Sequence, residues 1–554
     1  MSAKINTFLL YLFPFAVSAF TLFDRPFFYF SAQDPQNTAM YYEIDITAVF
    51  YICYAYFAAM FCYVLMYLSA LFNSKKFIAV VSALIYTASY IYVLHFLLTG
   101  FHIHYNSVFA LFDTNVPEAK EFLQTLKASD IAKAVILTLA YAGVWGGLIN
   151  RIDKDGLKNK TQKKLAAAAF VFCLIGAALL EKHSFFSNLE PVLSPVQAFV
   201  AYRREEQNIA RIIDKIDPSL MDGIKSSVAK NINETYVVVI GESASRDLHP
   251  LYADDAVASS PLNKKNLILF NKIYASAPIT MLSLFQALFI NPEKNKTVDF
   301  VDLAKKAGFK TFWISNQFRA SSFGDNPTAV LSRRADEASF INHSNPDIKN
   351  YADMPLDENL LPPFQDALND PAAKKIIFLH LFGSHAPYEN RYPENMNIEN
   401  KNPDFEKGVQ KRTPLEKQRK EVRAYAKSMY YTDTVLKQII EKLNDKGGYS
   451  SLIYFSDHGA NPKAAMNRNP DDKSILEVPF FLWASSDYKN LNKEKIKNAE
   501  NARNKLYRMD RLKFTLADWM NLSHPLLSIE TDSLFSPKLI ETTEEEIKQT
   551  PSVL

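Results

Sequence analysis

Cysteine is nearly absent: the 554 residues contain three, Cys53, Cys62 and Cys173, and all three sit inside apolar runs. Nothing from residue 174 onward can form a disulfide, a thiolate metal site or a cysteine nucleophile. A strong charge of one sign is also missing. The formal net charge is +3, so no bulk electrostatic term favours nucleic acid, and no nucleic-acid partner is expected. Internal repeats and low-complexity segments are missing too. What the chain does have is an uneven distribution of apolar residues, concentrated in roughly the first 200 positions.

Five stretches there are long and apolar enough to cross a bilayer, which takes about 20 residues: 5–23, 46–72, 77–98, 131–148 and the shorter 165–180. The first is rich in Phe and Leu, lacks a small-residue cleavage site and is followed by further spans, so it reads as a span and not a signal peptide. Loop charge sets the orientation. Lys75 and Lys76 form one basic turn, and residues 151–164 carry six Lys or Arg, whereas residues 31–45 carry none. The basic loops face the cytoplasm, and an odd number of spans places everything after about residue 182 outside, in the periplasm of a bacterium. The chain thus divides into a five-helix transmembrane domain (1–183), a connector with a helix over 196–216 (184–230), and a soluble domain (231–554). The 100–130 loop holds Asp113, Thr114, Asn115 and Glu118. It reads either as an interfacial amphipathic helix capped near 113–115 or as an element that binds a lipid headgroup.

Beyond Tyr236, short apolar runs at 236–240, 311–315, 376–382, 451–455 and 479–483 alternate with helical stretches such as 297–307 and 422–444. Strands alternating with helices predict an α/β domain with a mostly parallel central sheet. Such folds bind ligands at the carboxyl ends of their strands. Three of these ends deliver Gly241-Glu242-Ser243, Gly383-Ser384-His385 and Ser456-Asp457-His458-Gly459. Glu242, Asp457 and His458 offer the oxygen and nitrogen atoms that suit zinc. Singly, each has a plain explanation, as a helix cap or a buried histidine; together, at one sheet edge, they point to a metal. A catalytic metal needs a nucleophile beside it, and without cysteine that nucleophile is Ser or Thr. Thr280, two residues after Pro278, is placed to open a helix whose N-terminus favours phosphate oxygens. Ser276 and Ser283 stay open as alternatives on this reading.

These motifs, with Trp313-Ile314-Ser315-Asn316-Gln317 and Arg391-Tyr392-Pro393, occur in one order and resemble the phosphoethanolamine transferases. That family modifies lipid A and lipooligosaccharide and belongs to the alkaline phosphatase and sulfatase superfamily. The resemblance covers nearly the whole chain. It implies that Glu242, Thr280, Asp457 and His458 bind Zn2+. It implies that Thr280 attacks phosphatidylethanolamine and becomes a phosphoethanolamine-threonine, and that His385 contacts the group or donates a proton. It further implies an inner-membrane location, an acceptor in lipid A or the core oligosaccharide, and a donor-lipid loop containing Asp113 and Glu118. Asn316, Lys463 and Arg468 complete the candidate substrate contacts. Three departures follow. Residues 460–479 hold no histidine where the family often carries one, which leaves the second metal in question and offers Lys463 and Arg468 instead. The soluble domain lacks the disulfides of the lipid A-modifying members, which favours core heptose or another acceptor. Ala110 stands where some relatives carry Asn. The alternatives are a protein acceptor such as pilin, or an inactive membrane scaffold.

Overall fold

The computed structural model describes residues 9–14, 16–17, 75–99, 103, 105–113, 126, 128–151, 190–228, 231–253, 257–293, 296–317, 327–341, 355–400, 402–413, 415–463 and 472–548. The chain falls into two compact units, Met1–Val108 with Leu126–Arg203, and Phe109–Thr125 with Arg204–Leu554.

Among the described residues of the first unit, two helices are long and apolar enough to span a membrane, Lys76–Thr99 and Ala128–Asn150. They coincide with the spans expected at 77–98 and 131–148, and lie within α1 (Lys75–Thr99) and α3 (Ala128–Arg151). Their shared core holds Tyr86, Tyr92 and Tyr141 with polar groups paired inside it, Ser89 Oγ lying 2.7 Å from Tyr141 Oη. Of span 5–23 only part is described, and it is helical at residues 9–14. Spans 46–72 and 165–180 lie outside the described residues.

The short helix α2 runs over Tyr105–Asp113, and the helix expected to be capped near 113–115 falls on residues 114–125, outside the described residues. One local expectation, the start of the connector helix, needs correction. The connector helix α4 runs over Glu190–Ile213, with Pro195 inside it. It starts about six residues before the expected 196, because a proline in the first turn or two removes few intrahelical hydrogen bonds.

The second unit is built on a seven-stranded sheet. Its strands are β1 (Glu234–Gly241), β2 (Leu267–Leu269), β3 (Lys310–Ser315), β4 (Glu337–Phe340), β5 (Lys374–His380), β6 (Tyr449–Ser456) and β7 (Phe480–Ala484), in the order β2-β7-β6-β1-β5-β3-β4. The pairs β6–β1, β1–β5, β5–β3 and β3–β4 are parallel, whereas β7 runs antiparallel to both β6 and β2. The sheet is therefore mostly parallel, with one reversed strand. An apolar run reads the same in either direction, so the sequence could not reveal that reversal. The central strands β1 and β6 are buried at every residue, as expected of a sheet covered on both faces.

One face packs against α8 (Leu361–Asn369) and α9 (Glu416–Lys446), where Val237, Val239, Ile377, Leu379 and Leu452 meet Phe364, Leu368, Val435, Ile439 and Leu443. On the other face Tyr236 stands edge-on to Trp519, with ring centres 4.8 Å apart, and Trp313 stacks on Phe378 at 5.3 Å. The helices α5 (Thr280–Leu288), α6 (Phe300–Lys306), α7 (Pro327–Arg334) and α10 (Leu512–Trp519) complete the elements used below. Helix α6 begins later than the expected 297, because residues 296–299 form a strand and the Asp299 carboxylate then caps the helix by accepting from Asp302 N–H.

Candidate functional site

The registered pairing of β6, β1 and β5 sets their carboxyl ends side by side, with Ser456 opposite Gly241 and Ile240 opposite His380. The residues that follow these ends must therefore meet. Glu242 follows β1 directly, and the chain then turns sharply at Ser243, whose φ is +57°. A non-glycine residue in that region is costly unless its surroundings hold it. Here they do: Tyr425 Oη, from α9, donates to the Ser243 carbonyl and accepts from Ser245 N–H, both at 2.7 Å. Ser456 Oγ accepts from Ala244 N–H at 2.9 Å. Tyr425→Phe leaves that buried N–H and carbonyl without their partner. Chemical denaturation should show a loss of about 1–3 kcal/mol.

Asp457 and His458 follow β6. The Asp457 Oδ1 accepts from its neighbours' backbone, Ser243 N–H at 3.2 Å and His458 N–H at 2.7 Å. Ser283 Oγ, from α5, donates to the Asp457 carbonyl at 2.6 Å. His458 Nδ1 lies 2.8 Å from the Gly459 carbonyl. A carbonyl only accepts, so Nδ1 carries the proton and Nε2 presents its lone pair to the site. That nitrogen is 3.3 Å from Glu242 Oε1 and 3.6 Å from Asp457 Oδ2. Gly459 is held against the chain beyond: its N–H reaches Ile475 O at 2.7 Å, and a Cβ there would stand 2.0 Å from the Ser474 carbonyl oxygen. Gly459→Ala is expected to lower stability by about 1–3 kcal/mol or more and to displace His458. Thermal melts with and without zinc would show both effects, as a lower Tm and a smaller zinc-induced rise.

Thr280 opens α5 as expected. Its Oγ1 donates to Glu242 Oε2 at 3.0 Å and lies 3.4 Å from His458 Nε2. Ser276 and Ser283, left open by the sequence, are both buried and spend their hydroxyls on backbone carbonyls. Among the described residues, Glu242, Asp457 and His458 form one group able to hold a metal ion, with ligand atoms all within 4.8 Å of one another.

The electrostatics fit a cation. Burial, and then the charge of Asp457, push the Glu242 carboxyl up to about 8. Burial likewise raises Asp457 to about 6. Asp457 Oδ2 is buried without a hydrogen-bond partner of ordinary geometry among the described residues. Two desolvated carboxylates and a neutral imidazole lone pair converge on one point, an arrangement that costs free energy without a cation and suits zinc with one.

The other candidates scatter. His385 lies on the turn after β5, partly buried, with Nδ1 2.7 Å from the Ala386 carbonyl. Lys463 is exposed on the turn beyond His458. Asn316 does not open onto the site as a substrate contact would: it is 1% exposed, and its amide donates to the Pro355 carbonyl at 2.9 Å and to Asp357 Oδ1 at 2.8 Å. Asp113 ends α2, and Glu118 and Arg468 lie outside the described residues. Gln317 was missed. Its Nε2 donates to the Leu381 carbonyl at 3.0 Å and lies 3.4 Å from Glu242 Oε2. Its position just past the end of β3 was the available signal.

Comparison with known proteins agrees with this geometry. Residues 234–522 match the family model described as Sulfatase. The phosphoethanolamine transferase EptC of Escherichia coli (strain K12) is 27% identical over 508 residues, covering 85% of this chain and 84% of that protein. The crystal structure of the C-terminal periplasmic domain of EcEptC from Escherichia coli, in complex with Zn, shares 29% identity with a TM-score of 0.50, covering 58% of this chain and 91% of that one. The integral membrane protein lipooligosaccharide phosphoethanolamine transferase A from Neisseria meningitidis matches in fold, with a TM-score of 0.64 at 15% identity, over 100% of this chain and 98% of that one. The chain belongs to the sulfatase family, among members similar to the phosphoethanolamine transferases.

Proposed function

We propose that this protein is a multi-pass enzyme of a bacterial inner membrane that transfers phosphoethanolamine from phosphatidylethanolamine to lipopolysaccharide or lipooligosaccharide, with its catalytic domain in the periplasm and Thr280 as nucleophile. The five spans and the 1–183, 184–230 and 231–554 division are part of this reading. One observation carries it: the Thr280 hydroxyl stands at a helix start within hydrogen-bond reach of both Glu242 and His458.

A zinc ion held by Glu242, Asp457 and His458, with Thr280, would lower the hydroxyl's pKa and offset charge at the reacting phosphate. The chain's own groups do the rest. Thr280 Oγ1 gives its hydrogen toward Glu242 Oε2 and attacks phosphorus. The bond from phosphorus to the diacylglycerol oxygen breaks as the bond to Oγ1 forms, and His385 supplies the proton that diacylglycerol takes away. The first amides of α5 face the phosphate oxygens. An acceptor hydroxyl then gives its proton to His385 and attacks phosphorus; the bond from phosphorus to Oγ1 breaks as the new one forms, and Thr280 Oγ1 takes its hydrogen back from Glu242. Nothing in the site favours an inactive scaffold, since a scaffold has no need of a buried group of acids and a histidine.

The soluble domain has no cysteine, which supports a core sugar over lipid A as acceptor. The test is expression in a strain lacking its own transferases, followed by mass spectrometry of lipid A and core separately. Phosphoethanolamine on the core supports this choice. Modification of lipid A instead, with weaker killing by polymyxin as its negative charge falls, would overturn it, and a modified protein would point to pilin-like acceptors.

A further inference from the structure

The turn that carries His385 is braced by a residue outside every motif noted above. Asp357 lies just before α8 and is 4% exposed. Its Oδ1 accepts from Phe382 N–H and from the Asn316 amide, and its Oδ2 accepts from Gly383 N–H, all at 2.8 Å. One carboxylate thus ties the ends of β3 and β5 together. Burial raises its pKa, and the Asn316, Phe382 and Gly383 donors and then Arg391 oppose that rise. The Arg391 guanidinium lies over the ring of Phe382, on the same turn, at 4.5 Å.

The braced backbone has little freedom. Gly383 has φ +52°, and a Cβ there would stand 2.8 Å from the Glu242 carbonyl oxygen. Ser384 N–H donates to that oxygen at 2.9 Å, and the next residue is His385. Without the carboxylate, two buried N–H groups lose their acceptor and the turn would have to move to find others.

We propose that Asp357, with Asn316 as its tether, is a positioning residue that sets where His385 stands relative to Thr280. This rests on the His385 role proposed above, and a double-mutant cycle separates the two. Full-length protein in detergent is assayed for diacylglycerol release from phosphatidylethanolamine, with bound zinc measured on the same samples. His385→Ala is expected to lower kcat by on the order of 100-fold or more, the usual scale for a general acid. Asp357→Asn keeps the size but offers one acceptor oxygen in place of two. It should lower kcat by on the order of 10-fold at unchanged zinc content. The double variant should be no slower than His385→Ala by more than about 3-fold, since coupled residues do not add. Asn316→Ala, which leaves the backbone bonds intact, should show a smaller loss with the same non-additivity, and it serves if Asp357→Asn does not fold. Multiplying effects, a wild-type rate in Asp357→Asn, or a rate loss that tracks lost zinc would overturn the proposal. A wild-type rate in His385→Ala would overturn the role of His385 and the positioning role with it.

Discussion

Thr280→Ala should lower phosphoethanolamine transfer by on the order of 10⁴-fold while leaving the fold intact. The magnitude is that typical of losing a covalent nucleophile from an otherwise complete site. The fold should survive because the hydroxyl carries no structural duty. The residue capping α5 is Ile279, with no side-chain cap bond, and the Thr280 hydroxyl reaches Glu242 and His458, which both belong to the site itself. A melting temperature within a few degrees of wild type, with zinc still bound, is the expected companion result. Thr280→Ser keeps an oxygen in reach and should retain measurable activity. A Thr280→Ala enzyme working at more than a tenth of the wild-type rate would contradict the assignment.

Replacing a carboxylate of the site should have opposite consequences with and without metal. In the metal-free protein Glu242 and Asp457 are buried beside each other, and each is raised above its ordinary carboxylate value. A group with a raised folded-state pKa stabilises the fold below its unfolded value, and that contribution is lost as pH climbs through the folded one. Metal-free wild type should therefore lose stability as pH rises from about 4.5 toward about 8, the window set by Glu242. Asp457→Asn removes one of the two charges, so it should flatten that slope and melt no lower than wild type when metal is absent. With zinc the order reverses. Wild type should gain several degrees, because a ligand bound only to the folded state stabilises it by mass action, and Asp457→Asn should gain little and transfer nothing. Melting curves across pH, with chelator and with zinc, check the sign in both states. A wild type whose melting ignores zinc would contradict the metal reading.

The chemistry of the site was legible because it is local. Glu242, Asp457 and His458 each follow an apolar run, and a parallel sheet must bring such ends to one edge. Thr280 was legible only as one of three hydroxyls, from the proline two residues before it and the helical pattern after it; the family resemblance, and not the residues alone, set it apart from Ser276 and Ser283. What holds these residues in place was not legible. Tyr425 reaches the Ser243 carbonyl across 182 residues of chain, and Asp357 reaches the turn after β5 from a segment with no catalytic motif. Both act through backbone groups, which leave no mark on residue type. Asn316 shows the converse: its motif drew attention to it, yet its amide serves as a buried tether. The strand reversal at β7 escaped for another reason. Phe480, Phe481, Leu482 and Trp483 are apolar on both faces and carry no direction.

The most direct test of the central claim is the covalent intermediate itself. Full-length protein with zinc is incubated with headgroup-labelled phosphatidylethanolamine, quenched, digested and mapped by mass spectrometry. The account predicts label on the peptide carrying Thr280, matched by released diacylglycerol, and lost both with a chelator and in Thr280→Ala. Label on another residue, or acceptor modification with no labelled enzyme under any quench, would contradict it.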